Sequence, residues 1–558
     1  MKVDAGKLAR KELMRVSPYL SDRDVAEEKG LRFADLNENA RDIFGSGLNR
    51  YPDPQAGKLR KRIARYCGVS QENILAFNGS DEAIDLLIRV FCRPGKDSVL
   101  VLEPTYSMYR ICAEANGVAV EGVRLGDGFQ PDVTAVLRAA KESGAKLIFA
   151  CSPNNPTGNR MDAQRLEKIA KGCNAILVVD EAYFEFAGRS FARQALRLPN
   201  VVVLRTFSKA WALAGARLGY CITTPRIISL LQKVKLPYGV NSLSQNAAIA
   251  AFGRQRLVEK YAREAASERN DMSARMRALG MKAYQSDANF VLFSLPKGID
   301  AVAVQKRLAS QSKILVRERA KLVQNSLRVT VCTPGENEYL LRSLLKASVD
   351  AVLFDLDSTL VDVSRSYFQA IKLTSEQISG KAVPMGLVRK VKSLPGMNND
   401  WDATMEVLRR MGVRSARRQV VPIFQMLYFG KDGDGLIKSE KPLLQLRLLK
   451  KIGKPIGIVT GRPRDEARIA MRMLGLPQAM PLVAMEDTAL GKPDPAPLLL
   501  AKKRLGASLP LYIGDSPDDR EAASRAGCAF VAIGKGKRQP GEFARFPNVN
   551  DAIRELFA

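Results

Sequence analysis

The sequence predicts an α/β protein built as two α/β units in series, and three observations carry that prediction. The chain has 558 residues, too many for one hydrophobic core and enough for roughly two to four domains. Short apolar runs bounded by turn residues recur in two series, one within about 70–225 and one from 350 to 534, with helical patterns between them; this is the pattern of mainly parallel sheets covered on both faces. Polar and charged residues cluster where the predicted strands end, which is where open α/β sheets bind ligands.

In the first series the runs are 98–104 (SVLVLEP), 146–153 (KLIFACSP), 175–183 (AILVVDEAY), 201–209 (VVVLRTFSK) and the neighbourhood of 218–224 (LGYCITT). A long helical stretch follows at about 225–280. Two more strands, 289–295 (NFVLFSL) and 326–333 (SLRVTVCT), flank a helix near 300–312 and form a smaller α+β lobe. A last helix at 338–347 runs almost directly into the strand 350–360 (DAVLFDLDSTL), so the two halves are expected to touch rather than to be flexibly tethered. A helical insertion spans about 363–440. The second series then proceeds through 455–461 (PIGIVTG), 481–485 (PLVAM), 510–516 (PLYIGDS) and 529–534 (AFVAIG).

Composition bounds the function. With 46% hydrophobic and 26% charged residues the chain reads as globular, and no apolar stretch approaches the ~18–20 residues of a membrane helix. Residues 1–22 alternate charged and apolar side chains, the pattern of an amphipathic helix rather than a secretion segment, so a cytoplasmic location is expected. The eight cysteines are scattered without C-x-x-C spacing, which argues against a cysteine-rich zinc module and a disulfide framework. Net charge is +29; residues 349–558 carry +10 of it (33 basic, 23 acidic) and residues 1–348 the other +19. With no basic tail or arm, no nucleic-acid partner is expected. The excess reads either as a diffuse surface that helps capture anionic phosphates or as a general basic bias. There is no histidine, which excludes any imidazole base or ligand. Catalysis must run on Lys, Asp, Tyr and cofactors.

In the first unit, Lys209 follows a strand in a segment with Thr206, Ser208 and Arg217, and a lysine of lowered pKa can condense with an aldehyde. Asp180 ends another strand, where a buried carboxylate can keep a pyridine nitrogen protonated. Tyr183 and Asn155 can hydrogen-bond a ring hydroxyl. The turn Gly79-Ser80-Asp81-Glu82 opens a helix whose free N–H groups can cradle a phosphate, and Tyr106 can stack on a flat ring. Singly each has a blander reading as a surface lysine, a strand cap or a helix start; their joint order is the signal. Residues from about 15 to 347 resemble the histidinol-phosphate aminotransferase group of fold-type I pyridoxal-phosphate enzymes in SPYLS, LNENA, NRYPDP, NGSDEAIDLLIR, PTYSMY, CSPNNPTG, VVDEAYF, RTFSKAWALAGARLGY and LRVTVCT. The resemblance implies pyridoxal 5'-phosphate with Lys209 as its Schiff-base and proton-transfer residue and Asp180 on the pyridine nitrogen. It places Asn155 and Tyr183 on the ring oxygen, Ser80, Asp81, Ser208 and Arg217 at the phosphate, and Tyr106 against the ring. Arg328 would clamp the carboxylate of the amino donor, with Tyr19, Asn37 and Arg317 near the substrate. Tyr51 would reach into the neighbouring subunit's site, implying a homodimer. Ala40 stands where the family often has Pro. The implied layout is an aminotransferase at 1–348, with a large lobe at about 40–280 and a small lobe from about 281–348 plus the N-terminal segment.

In the second unit, Asp355 and Asp357 end an apolar strand, Thr460 follows the next, Lys492 sits in GKPDPAP, and GDSPDD supplies Asp515 and Asp519. Phosphoryl transfer needs a nucleophile, a proton source for the leaving oxygen and positive charge on the transferred group. Asp355 can attack while Asp357 protonates the alcohol, and Thr460 and Lys492 can hold the phosphoryl group. Asp515 and Asp519 can share Mg²⁺ with Asp355, and Asp357 is counted in the same metal-side set. Residues 350–555 resemble the haloacid dehalogenase superfamily of phosphatases, a Rossmann-like fold, with the 363–440 insertion in the place of a helical cap. Ser358 replaces the commoner Gly, and Asp357, which dehalogenases lack, favours a phosphatase at 349–558.

Together the resemblances imply consecutive steps of histidine biosynthesis: imidazole-acetol phosphate and glutamate to histidinol phosphate and 2-oxoglutarate, then hydrolysis of that phosphomonoester to histidinol. A histidine-free sequence suits such an enzyme, which stays translatable when histidine is scarce. The alternatives are an aminotransferase for another, aromatic amino acid, a threonine-phosphate decarboxylase, or a regulatory protein with an aminotransferase-like domain.

Overall fold

The computed structural model describes residues 3–557 except 20, 26–30, 395, 398 and 432. The chain packs into two compact units, one of residues 1–270, 284–292 and 328–332, the other of 271–283, 293–327 and 333–558.

The first unit is organised by a seven-stranded sheet. Its strands are β1 (Ile74–Phe77), β2 (Ser98–Glu103), β3 (Ala119–Arg124), β4 (Leu147–Cys151), β5 (Ile176–Asp180), β6 (Val201–Thr206) and β7 (Gly219–Ile222). They lie in the order β1-β7-β6-β5-β4-β2-β3. Strands β2 to β6 run parallel to one another, and β7 runs antiparallel to both β6 and β1. Alternate residues of the inner strands divide between two cores: Ile148, Leu177, Val179 and Val203 on one side, Phe149, Ile176, Val178 and Val202 on the other. Period-two alternation with both faces buried is why these strands read as unbroken apolar runs. The sequence reading lacked β1 and β3. The first has only four residues, and β3 (AVEGVR) is an edge strand with four exposed and two half-buried positions and no fully buried one.

Residues 225–280 form three helices, Pro225–Gln232, Ser242–Ala251 and Gln255–Ala278. The N-terminal segment departs from expectation. It is a four-residue helix, Ala5–Leu8, followed by a 3-10 turn, Lys11–Arg15. Val3, Ala5, Leu8 and Ala9 enter the core, and the Arg10 amide donates to the Val90 carbonyl at 3.0 Å, which draws the backbone out of a helix.

A four-stranded sheet in the order β10-β11-β9-β8 is built from β8 (Lys282–Ala283), β9 (Phe290–Ser294), β10 (Arg317–Glu318) and β11 (Ser326–Thr330). Helices Ala301–Ser312 and Pro334–Ser348 accompany it in the sequence.

In the second unit, the strands after residue 350 are β12 (Ala351–Phe354), β13 (Val361–Asp362), β14 (Lys441–Pro442), β15 (Ile456–Val459), β16 (Leu482–Val483), β17 (Pro510–Gly514), β18 (Ala529–Ile533) and β19 (Ala544–Phe546). Six of them make a parallel sheet in the order β16-β15-β12-β17-β18-β19. The order reverses at β12, whose neighbours are β15 and β17, and a crevice opens at the carboxyl end of such a strand. The insertion consists of helices Tyr367–Ser379, Met385–Lys392, Asp400–Arg410 and Arg417–Tyr428, and its two ends are tied by the antiparallel ribbon β13–β14. Helix Pro334–Ser348 ends at Val349, and Asp350 then accepts the Ser508 and Leu509 amides at 2.6 and 3.0 Å. Arg342 pairs with Glu555 in the same unit. Among the described residues no helix is long and apolar enough to cross a membrane, and no cysteine is in a disulfide.

Candidate active sites

The first site gathers at the carboxyl ends of β5 and β6. Asp180 is buried; its Oδ2 accepts from the Tyr109 hydroxyl at 2.7 Å and its Oδ1 from the Ala182 amide at 3.1 Å. Burial pushes its pKa up to about 6, against the pull of these donors. Three residues beyond β6, the Lys209 amine stands 5.6 Å from the centre of the Tyr183 ring. Desolvation, and after it the Arg328 guanidinium, hold that amine below the usual lysine range, as a nucleophilic amine requires.

An anion cradle lies beside this pair. Gly79 (φ +84°) opens the helix Ser80–Phe91, whose first N–H groups receive no side-chain cap. Arg217 reaches Ser208 Oγ at 3.4 Å and Asp81 at 3.2 Å, Thr206 Oγ1 donates to Ser208 Oγ at 3.0 Å, and the Tyr106 hydroxyl donates to Asp81 at 3.3 Å. Gly219 makes the close approach possible: a Cβ there would stand 2.6 Å from the Ser80 nitrogen and 2.7 Å from the Gly79 carbonyl carbon. Gly219→Ala is therefore expected to destabilise the first unit by about 1–3 kcal/mol, read from thermal unfolding.

Asn155 Oδ1 accepts from Arg328, whose guanidinium carbon lies 5.0 Å from the Phe290 ring centre; Tyr183 meets the same ring edge-on at 5.2 Å. Lys209, Asp180, Tyr183, Asn155 and Arg328 thus belong to one neighbourhood, with Ser80, Asp81, Tyr106, Ser208 and Arg217 in the cradle. The outlying residues are placed differently. Tyr19 and Tyr51, both exposed, pack on Tyr238 with ring centres 6.2 and 4.7 Å away. Asn37 is exposed with φ +56°, and Arg317 lies exposed on β10 in the second unit. Sequence reasoning missed Tyr109, the second tyrosine of PTYSMY, which holds Asp180 while stacking on Phe149 at 4.8 Å. It also missed Glu38, which gathers Arg23, Arg50 and the Tyr51 amide at 2.7, 2.8 and 2.6 Å.

In the second unit Asp355 follows β12, and Lys492 Nζ bridges Asp355 Oδ1 and Asp519 Oδ1 at 2.6 Å each while donating to the Tyr512 hydroxyl at 2.9 Å. Tyr512 donates in turn to Asp519 Oδ1 at 2.8 Å, and Ser516 caps Asp519 Oδ2 through its amide and hydroxyl. One ligand atom from each of Asp355, Asp515 and Asp519 lies within 4.8 Å of the others. Burial raises Asp355 to about 7, and burial together with Asp355 and Asp519 raises Asp515 well above the carboxylate range. Burial would do the same to Asp519, but the charge of Lys492 overrides it and holds Asp519 low. Two buried carboxylates, Asp355 and Asp519, and the more accessible Asp515 thus face one ammonium, an excess of carboxylates that a hard divalent cation with oxygen ligands would neutralise. Thr460 follows β15, and its Oγ1 accepts from the Arg462 amide at 3.1 Å.

Asp357, grouped with the metal-side carboxylates from the sequence, turns its side chain elsewhere. Its Oδ1 lies 2.6 Å from Nε of Arg462 and 2.5 Å from Nη2. Arg462 is fully buried, also pairs with buried Glu440 at 2.9 Å, and lies 4.9 Å from the Tyr367 ring centre. Neither Arg462 nor Glu440 was singled out from sequence, although Arg462 is two residues beyond Thr460. Arg462→Met would strand Glu440 without a cation and is expected to cost about 3–5 kcal/mol in thermal or denaturant unfolding.

A lysine facing a buried aspartate beside an anion cradle defines one enzyme site, and an aspartate–lysine cluster able to hold a divalent cation defines another. Residues 26–344 match the aminotransferase class I and II family over more than half of the chain, and residues 349–527 match the haloacid dehalogenase-like hydrolases. The chain belongs to the aminotransferase class I and II family, with a hydrolase of the haloacid dehalogenase superfamily as its second part. It is 40% identical to the histidinol-phosphate aminotransferase of Parabacteroides distasonis over 346 residues, 61% of this chain and 98% of that protein. It is 41% identical to the one of Bacteroides thetaiotaomicron over 347 residues, 61% and 97% of the two chains. The crystal structure of histidinol-phosphate aminotransferase from Sinorhizobium meliloti in complex with pyridoxal-5'-phosphate is similar at a TM-score of 0.51 and 27% identity, covering 54% of this chain and 84% of that one.

Proposed function

We propose that this chain is a bifunctional enzyme. Its first part, residues 1–348, transfers an amino group from glutamate to imidazole-acetol phosphate. Its second part, residues 349–558, hydrolyses the resulting histidinol phosphate to histidinol. The observation that carries this reading is the presence, on one chain, of a part similar to histidinol-phosphate aminotransferases and a carboxylate–lysine site suited to phosphomonoesters, the chemical class of that family's product.

The residues of the first site fit pyridoxal phosphate. Asp180 is a buried carboxylate that a protonated pyridine nitrogen would stabilise, and the Ser80 amide, Ser208 and Arg217 converge where a phosphate would sit. The cofactor supplies an electron sink for the bond-breaking at the amino acid's α-carbon. Lys209 then removes and returns the α-proton through its Nζ, Arg328 holds the donor's carboxylate, and Tyr183 and Asn155 orient the ring. Tyr51, exposed where it packs on Tyr238, would face the site of a second subunit in a homodimer.

In the second site, Mg²⁺ on Asp355 and Asp515 would screen the phosphate charge, with Asp519 tied mainly to Lys492, Tyr512 and Ser516. Asp355 attacks phosphorus, and the P–O bond to the alcohol breaks as Asp357 delivers a proton to the leaving oxygen. Asp357, now a carboxylate, takes a proton from water, which attacks the phosphoryl-aspartate and releases phosphate with Asp355 restored. Thr460 and Lys492 hold the phosphoryl oxygens. A cytoplasmic location is proposed with this role.

The test supplies imidazole-acetol phosphate, glutamate and Mg²⁺ and follows two products. Equal final amounts of 2-oxoglutarate and inorganic phosphate are expected. Formation of 2-oxoglutarate with no phosphate would remove the second step, and the absence of both would remove the reading altogether.

A further inference from the structure

From Asp355 and Asp357 a cavity continues into the insertion, lined by Tyr367, Trp401, Phe424, Arg462 and Glu466. A second cavity opens from the same two aspartates past Phe368, Lys392 and Met397, so a leaving group on a phosphate held at Asp355 has Tyr367, which lines both, beside it. Most charges along the cavity are already matched. Arg462 serves Asp357 and Glu440, and Lys392 pairs with Asp400 at 2.8 Å.

Glu466 is different. It is buried on helix Arg464–Met473, and its carboxylate accepts from two neutral donors, the Tyr367 hydroxyl at 2.7 Å and Gln425 Nε2 at 3.2 Å. Among the described residues it forms no ion pair. The nearby Arg462, committed to Asp357 and Glu440, offsets only part of its desolvation cost, and burial still pushes Glu466 up to about 7; a cationic ligand would relieve the remainder.

We infer that Glu466 is the subsite for a cationic amino group on the leaving alcohol, so that the phosphatase cleaves an aminated phosphomonoester and spares its ketone precursor. This rests on the histidinol phosphate reading above. Imidazole-acetol phosphate and histidinol phosphate share the imidazole and the phosphate and differ on the carbon next to the phosphorylated one, a carbonyl in the first and an ammonium in the second. A phosphatase joined to the transaminase meets both compounds. One that failed to tell them apart would destroy the transaminase's substrate. Glu466 is therefore a specificity residue that reads whether transamination has taken place.

The experiment measures phosphate release by the full-length holoenzyme with Mg²⁺ and without glutamate or 2-oxoglutarate. The expected kcat/KM for histidinol phosphate exceeds that for imidazole-acetol phosphate by at least about 100-fold, the size of discrimination that a buried polar partner supports. Glu466→Gln, which retains an acceptor for Tyr367, is expected to pull this ratio to within about fivefold of unity. A wild-type ratio near one overturns the inference even if the variant fails to fold, and so does a variant that keeps the wild-type ratio. A second pair, 2-aminoethyl phosphate and 2-hydroxyethyl phosphate, separates the two claims. If neither imidazole ester is cleaved but the aminoethyl ester is preferred, the histidinol phosphate reading fails and the amine subsite stands. If the second pair shows no preference either, the subsite falls.

Discussion

Asp355→Asn is expected to lower phosphate release from histidinol phosphate by at least about 10⁴-fold, while 2-oxoglutarate formation by the first part stays at its wild-type rate. The amide is nearly isosteric and still accepts the 2.6 Å hydrogen bond from Lys492, so the fold is retained. What is lost is the nucleophilic oxygen and one of the three ionisable carboxyls that crowd the cluster. That second loss gives a readout independent of turnover. In the wild type, Mg²⁺ binding to Asp355 and Asp515 relieves carboxylate repulsion in the buried cluster and should raise the thermal midpoint of the second unit. In Asp355→Asn the cation-free protein should already be more stable than wild type, because a repelling charge is gone, and the Mg²⁺ increment should shrink. A variant that keeps hydrolysing the ester would show that another group attacks phosphorus. A wild type whose unfolding ignores Mg²⁺ would show that the carboxylates hold no cation.

The residues of this cluster were legible from sequence because each follows an apolar strand of one parallel sheet: Asp355 after β12, Thr460 after β15 and Asp515 after β17. A parallel sheet brings those ends together whatever the intervening sequence. The first sheet was legible for a related reason. Strands β2, β4, β5 and β6 are buried on both faces and so apolar at successive positions, whereas β3 is half polar and has no such signal.

Long-range pairing of polar groups was not legible. Asp357 and Arg462 are 105 residues apart, and Glu440 joins them from the far end of the insertion. Nothing in the local pattern at either place announces the pairing, because it is fixed by how the insertion folds over the sheet's carboxyl edge. Tyr109 escaped for a similar reason. A helical tyrosine reads as core, and only the stacking on Phe149 turns its hydroxyl to Asp180. The N-terminal segment shows the opposite failure, an amphipathic period overridden when apolar side chains docked into the core and the Arg10 amide found Val90.

Lys209→Ala is expected to reduce 2-oxoglutarate formation by at least about 10³-fold, because the side chain removed is both the covalent anchor of the aldehyde and the carrier of the α-proton. Phosphate release from histidinol phosphate should be unaffected. The cradle stays intact in this variant: Arg217 still reaches Ser208 and Asp81, Gly219 still admits the turn at Ser80, and Asp180 remains to hold a pyridine nitrogen. Pyridoxal phosphate should therefore still bind, but reversibly. Absorbance of the protein-linked aldehyde should be lost, and dialysis should strip the cofactor from the variant and not from the wild type. These two readouts separate the roles of the residue. Retained absorbance with lost turnover would mean that a different lysine carries the cofactor. Retained turnover would mean that the proton moves by another route, and the convergence of Lys209, Asp180 and Tyr183 at the ends of β5 and β6 would then have a structural rather than a chemical meaning.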